Sequence, residues 1–119
     1  MRDKIADKQR LQHILKAISE LESFVKGVIF EEFNRNRMMQ LACVSNLMII
    51  GEATGHLTID IKEKYNSIDW VRIKGLRNII VHKYFKVDIP LVWQIIHNNI
   101  SELKSVSAQA LNDFEETNN

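Results

Sequence analysis

The chain has 119 residues, 45% hydrophobic and 26% charged, ordinary globular composition that excludes both a second full domain and a disordered chain. With 4 glycines and 1 proline it is too poor in turn formers for an all-β fold, and its single cysteine excludes an internal disulfide framework or a multi-cysteine zinc site. A net charge of +1 argues against a general phosphate-coating protein, and no apolar run exceeds four residues, as in Leu47 to Ile50, where a membrane span needs roughly 20.

The N-terminal MRDKIADKQR alternates charges where a signal peptide carries an apolar segment, so a cytoplasmic chain away from membranes is expected. Leu11, Ile14, Leu15, Ile18, Leu21, Val25 and Val28 then follow three-and-four spacing, which predicts a helix over about 8–26 stopped by Gly27. A second helix is expected after Asn34 as N-cap, running to about residue 57 with Met38, Leu41, Ser45 and Met48 on one stripe. Leu47, Ile49 and Ile50 widen its apolar surface, so it reads as a central helix with neighbours on more than one side, and Cys43 reads as a small core residue. Residues 58–65 continue that helix or form a short one of their own, and NSID is a loop ending in a cap at Ser67 or Asp69.

From Trp70 to Tyr84 an Ile-Ile-Val run favours a strand in isolation, but the surrounding Lys, Arg and Leu and the lack of alternation favour a helix. Asp88 caps a last helix with Pro90 in its first turn. Its stripe of Val92, Ile95, Ile96, Asn99, Leu103, Val106 and Ala110 runs to about Leu111, leaving a polar, frayed tail. Four or five helices with short links make an all-α antiparallel helical bundle, one domain over 1–119 with its core at about 5–111.

Most reactive constellations are missing: there is no Gly-rich phosphate loop, His-Glu-x-x-His, Cys-x-x-Cys or Gly-x-Ser-x-Gly. His13, His56, His82 and His97 are scattered, so neither a metal nor another cofactor is expected. Charge is unevenly spread. Between Lys62 and Lys86 seven basic residues face only Glu63 and Asp69, a local positive excess that suits a polyanion and equally suits a solvated helix face. Placed on a helix at about 100° per residue, GLRNIIVHKYF gathers Lys74, Arg77, Asn78, His82 and Tyr84 on one side and Ile73, Leu76, Ile79 and Ile80 on the other. An imidazole exchanges protons near neutral pH and a guanidinium forks onto phosphate oxygens, parts that suit phosphodiester chemistry. The spacing alone decides little, since Arg-x4-His arises by chance in roughly one sequence of this composition in five.

Arg77-Asn78-x3-His82-x-Tyr84 resembles the Arg-x4-His-x-Tyr motif of the HepT-like toxins of the HEPN superfamily. HILKAI at 13–18, NLMIIGEATGHL at 46–57, the approach from Trp70 to Gly75, YFKVD at 84–88 and Val92-Trp93 are similar to that family's pattern in the same order. The resemblance implies a HEPN bundle that forms a homodimer, with two motif segments meeting in a shared cleft. It also implies a metal-independent endoribonuclease with an RNA substrate, the toxin of a pair whose antitoxin is a minimal nucleotidyltransferase (MNT). Carried onto this chain, Arg77 and His82 become the catalytic pair, Asn78 the polar residue after the arginine, and Tyr84 the site of AMP addition by the antitoxin. Lys74 joins the cationic face, and Glu52 of the matching Gly51-Glu52-Ala53 lies near the cleft. Gly55 stands where the family often has a larger residue, which loosens the second helix there. Two other readings of the same basic face stand beside this one: a non-catalytic nucleotide-binding or adaptor subunit of a minimal nucleotidyltransferase, and a plain structural bundle.

Overall fold

The computed structural model of the protein describes residues 2–82 and 86–117. Helix α1 spans Arg2–Val25, α2 Phe30–Arg35, α3 Arg37–Gly55, α4 Ile59–Lys64, α5 Trp70–Lys74 and α6 Leu76–Ile80. Two short strands follow, β1 at Val81–His82 and β2 at Lys86–Val87. Helix α7 at Ile89–Gln94 leads through a single π-helical stretch, Ile95–Asn99, into α8 at Ile100–Thr117. The architecture is all-α, as the helical spacing of the apolar residues predicts.

Three long helices make the core, and two contacts fix their directions. The buried carboxylate of Asp7, early in α1, accepts hydrogen bonds from the Thr58 backbone N–H (2.9 Å) and hydroxyl (2.5 Å), just past the end of α3. At the other end Lys104, early in α8, pairs with Glu22 late in α1 at 2.9 Å. Helix α1 is thus antiparallel to both α3 and α8. The interior is filled by Leu11, Ile14, Ile18 and Leu21 of α1, by Cys43, Leu47 and Ile50 of α3, and by Leu103 of α8, all fully buried. Burial of this kind contributes about 1.5–3 kcal/mol per large aliphatic side chain. Burial also pushes the Cys43 thiol up to about 11, which fits the inert core residue expected there.

The helix ends follow local chemistry. Gly27 turns the chain after α1 with φ of +72°, a conformation that side chains with a Cβ rarely adopt. Asp69 caps α5 by accepting from Arg72 N–H at 3.1 Å, and Asp88 caps α7 by accepting from Leu91 N–H at 3.2 Å, with Pro90 in the first turn. Trp93 of α7 packs against Phe30 and Phe33 of α2, with ring centroids at 5.7 and 5.1 Å, and so ties α7 to α2.

Four expectations need correction. Asn34 lies inside α2, and the cap of α3 is Asn36, whose side chain accepts from Met39 N–H at 3.0 Å. Buried Gln40 then donates to the last carbonyls of α2, Phe33 (2.9 Å) and Asn34 (3.1 Å), which stabilises this separate short helix. The stripe of Met38, Leu41, Ser45 and Met48 faces outward: Met38 is 81% and Leu41 47% exposed, while Cys43, Val44, Leu47 and Ile50 face the core. The helix expected over Trp70 to Tyr84 kinks at Gly75 and ends at Ile80. Finally, α8 continues past Leu111 to Thr117 instead of fraying, because Asp113 accepts a hydrogen bond from the Tyr65 hydroxyl and Phe114 packs against the core.

That Tyr65–Asp113 bond joins α4's C-cap residue to α8 and makes the fold sensitive to alkali. Burial first, and then the hydrogen bond and charge of Asp113, push the Tyr65 hydroxyl from 10.0 up to about 12, and the same bond holds Asp113 below its usual value. A phenol raised in the folded state contributes stability that is complete below about 10 and is lost as pH rises through about 12. Urea midpoints measured from pH 8 to 12 should therefore fall more steeply above pH 10 for the native chain than for Tyr65→Phe, and parallel curves would contradict this.

Candidate active site

The motif segment lies where α5 and α6 cross α3, at a seam of unusually close backbone approach. A Cβ on Gly51 would stand 3.0 Å from the Ile73 carbonyl oxygen, and one on Gly55 3.3 Å from Cγ of Lys74. Helix α3 runs unbroken to Gly55, and the Lys74 stem fills the space that a larger residue there would occupy. Leu76 and Ile80 anchor α6 in the core, as the apolar side of the motif requires. Arg77 and Asn78, on the opposite side of the same short helix, are exposed. The Arg77 guanidinium makes no ion pair with any described residue, so its fork is open to an external anion.

His82 does not sit on that helix. The β-branched residues Ile79, Ile80 and Val81 favour extended backbone, and Val81 adopts it at φ −113°, ψ 116°. The chain then pairs with itself in antiparallel register, Val81 with Val87 and His82 with Lys86, and the Asp88 N–H donates to the Ile80 carbonyl at 2.8 Å. The single helical face expected to carry Lys74, Arg77, Asn78 and His82 together is therefore replaced by a helix-to-strand junction. Arg77 and Asn78 stand on the last turn of α6 and the imidazole on the first extended residues after it.

The ring of His82 is exposed, its side chain 58% accessible, with Nε2 3.7 Å from Oδ2 of Asp88. Asp88 was legible in the sequence only as a helix cap, and the hairpin folds it back beside the imidazole. Glu52 is exposed on α3 about 100° round from Gly51, and no hydrogen bond or ion pair joins it to Lys74, Arg77 or His82 among the described residues. Tyr84 and Lys83 lie outside the described residues. Around the junction Arg72, Lys74, Arg77 and Lys86 are all exposed, which puts much of the local positive excess on the surface.

A cavity of about 420 Å³, lined by Asp7, Thr58, Tyr65, Asp113 and Phe114 among others, includes none of Arg77, Asn78 or His82. Among the described residues no three His, Cys, Asp or Glu side chains are gathered so as to hold a metal ion, and no helix is long and apolar enough to cross a membrane.

The chain is similar to known proteins over most of its length. The chain is 36% identical over 94 residues to the Methanocaldococcus jannaschii protein named "Putative RNase MJ1380", covering 79% of this chain and 86% of that one. It is 37% identical over 94 residues to "Putative RNase TTE0752" of Caldanaerobacter subterraneus subsp. tengcongensis, covering 79% and 84%. It is 33% identical over 101 residues to "Probable ribonuclease HepT" of Thermococcus cleftensis, covering 85% and 92%. No solved structure gives a significant match. The family model described as ribonuclease HepT-like matches residues 14–110, nearly the whole folded chain with the helix-to-strand junction inside it, and the protein belongs to that family.

Proposed function

We propose that this protein is a metal-independent endoribonuclease whose catalytic groups are Arg77 and His82. The observation that carries the reading is an open guanidinium and an exposed imidazole on adjacent elements, within a chain of the ribonuclease HepT-like family. Cleavage without a metal needs a base to take the proton of the 2′-hydroxyl, an acid to protonate the departing 5′-oxygen, and a cation for the charge that grows on phosphorus. His82 takes the 2′-hydroxyl proton as the 2′-oxygen bonds to phosphorus. Arg77 holds the non-bridging oxygens, and the bond from phosphorus to the 5′-oxygen breaks, leaving a 2′,3′-cyclic phosphate. Asn78 and Lys74 supply further donors to the RNA backbone.

One chain offers a single motif imidazole, and the reaction uses a base and an acid. A homodimer with a shared cleft resolves the shortage, the partner subunit's His82 protonating the leaving oxygen. The outward face of α3 favours such pairing: Met38, Leu41 and Ile49 are 81%, 47% and 45% exposed, an apolar stripe on a helix of 19 residues. Glu52 belongs to that same face by helical position and so to the cleft side of the pair. The family's pattern at Tyr84 supports a role as the toxin of a toxin–antitoxin pair. A minimal nucleotidyltransferase antitoxin would transfer AMP to its hydroxyl and place a charged, bulky group two residues from His82.

Purified protein incubated with RNA in EDTA should cleave it. His82→Ala should lower the rate by about 10²–10⁴-fold and Arg77→Ala by about 10²–10³-fold, whereas loss of activity to the chelator alone, or full activity in His82→Ala, would overturn the assignment. Separately, Tyr84→Phe should retain cleavage but gain no AMP mass when mixed with a minimal nucleotidyltransferase of such a pair. A Tyr84→Phe protein still neutralised by AMP transfer would contradict the modification site.

A further inference from the structure

The short hairpin after α6 brings Asp88 beside His82, and the carboxylate is held there on three sides. Its backbone N–H is bonded to the Ile80 carbonyl at 2.8 Å. Its Oδ1 accepts from Leu91 N–H at 3.2 Å as the cap of α7. The helix it caps is seated by buried Val92 and by Trp93 against Phe30 and Phe33. With Oδ1 committed, Oδ2 points at Nε2 of His82 across 3.7 Å. Among the described residues the ring itself has no comparable anchor, since it projects from a two-residue strand with its side chain 58% exposed and has Lys86 as its cross-strand neighbour.

We infer that Asp88 is the positioning residue for His82, holding the imidazole by its Nε2–H so that Nδ1 faces the RNA. This inference rests on the proposed role of His82 as the proton-transfer group. The distance exceeds a hydrogen bond in the free protein and closes by a small rotation of an exposed ring, as catalytic contacts commonly tighten when substrate is bound. In the proton-transfer step the 2′-hydroxyl proton passes to Nδ1 while Nε2–H stays on the ring and Asp88 stays ionised. Its part is to fix the tautomer and the direction of the ring, and to face the positive charge that the ring acquires. One carboxylate thus serves two elements, with Oδ1 starting α7 and Oδ2 aiming the imidazole. A neutral cap would perform only the first task.

Asp88→Asn separates the two tasks, because asparagine caps helices as well as aspartate does but carries no charge. The variant should melt within a degree or two of the native protein, lose at least tenfold in kcat for single-site RNA cleavage, and keep KM within twofold. Asp88→Ser, which also caps but cannot reach the ring, should show the same loss and serves if the asparagine variant fails to fold. In a His82→Ala background Asp88→Asn should cause no further loss, since it acts only through the ring. Native kcat in both Asp88 variants, or an equal further loss in the His82→Ala background, overturns the positioning role while leaving His82 itself in place. Full activity of His82→Ala alone would instead remove the underlying reading, and the positioning role with it.

Discussion

The close approach of α5 to α3 is the constraint on which the rest of the structure depends. With Ile73's carbonyl oxygen 3.0 Å from where a Cβ on Gly51 would stand, the two backbones meet at a distance that side chains do not normally permit. Helix α3 is already committed on its other side to α1, through Cys43, Leu47 and Ile50. It therefore acts as a rigid floor between the long-helix core and the short α5–α6 segment. Because α6 is pinned to that floor by Leu76 and Ile80, the opposite side of the same helix must carry Arg77 and Asn78 into solvent.

What the floor does not decide is where the chain goes next. Five residues of α6 are too short to hold a helix on their own, and three consecutive β-branched residues arrive as it ends. The hydrogen bond from Asp88 to Ile80 and the two-residue ribbon then compete successfully with further helical turns. The result places a cationic fork and an imidazole on elements of different kind. Arg77 is carried by α6, while His82 is carried by a two-residue strand whose pairing is closed by the start of α7.

The elements legible in the sequence were those set by local chemistry. Gly27 as a stop, Asp88 as a cap and a cap at Ser67 or Asp69 depend on a few neighbouring residues, and the structure has the stop and the Asp88 cap where local rules put them and takes Asp69 of the pair. The facing of α3 was not legible, because Met38, Leu41 and Met48 make as good a stripe as Cys43, Val44 and Ile50. Periodicity shows that a helix is apolar on two sides and cannot tell which side meets α1. The strand after Ile80 was signalled by the Ile-Ile-Val run but outweighed by its surroundings, since the bond that favours it comes from Asp88, eight residues away. For the same reason the resemblance could single out the motif residues, while the approach of Asp88 to His82 depended on a fold-back that no helical wheel contains.

The chemistry proposed for this junction would leave a distinctive mark on its product. Attack by the 2′-oxygen ends with a 2′,3′-cyclic phosphate on one fragment and a free 5′-hydroxyl on the other, whereas attack by water activated elsewhere leaves different ends. Mass spectrometry of the fragments from a defined RNA cut in EDTA reads this directly. Cyclic phosphate paired with 5′-hydroxyl is the result expected of a guanidinium and an imidazole working on the ribose hydroxyl, and 3′-hydroxyl paired with 5′-phosphate would contradict it.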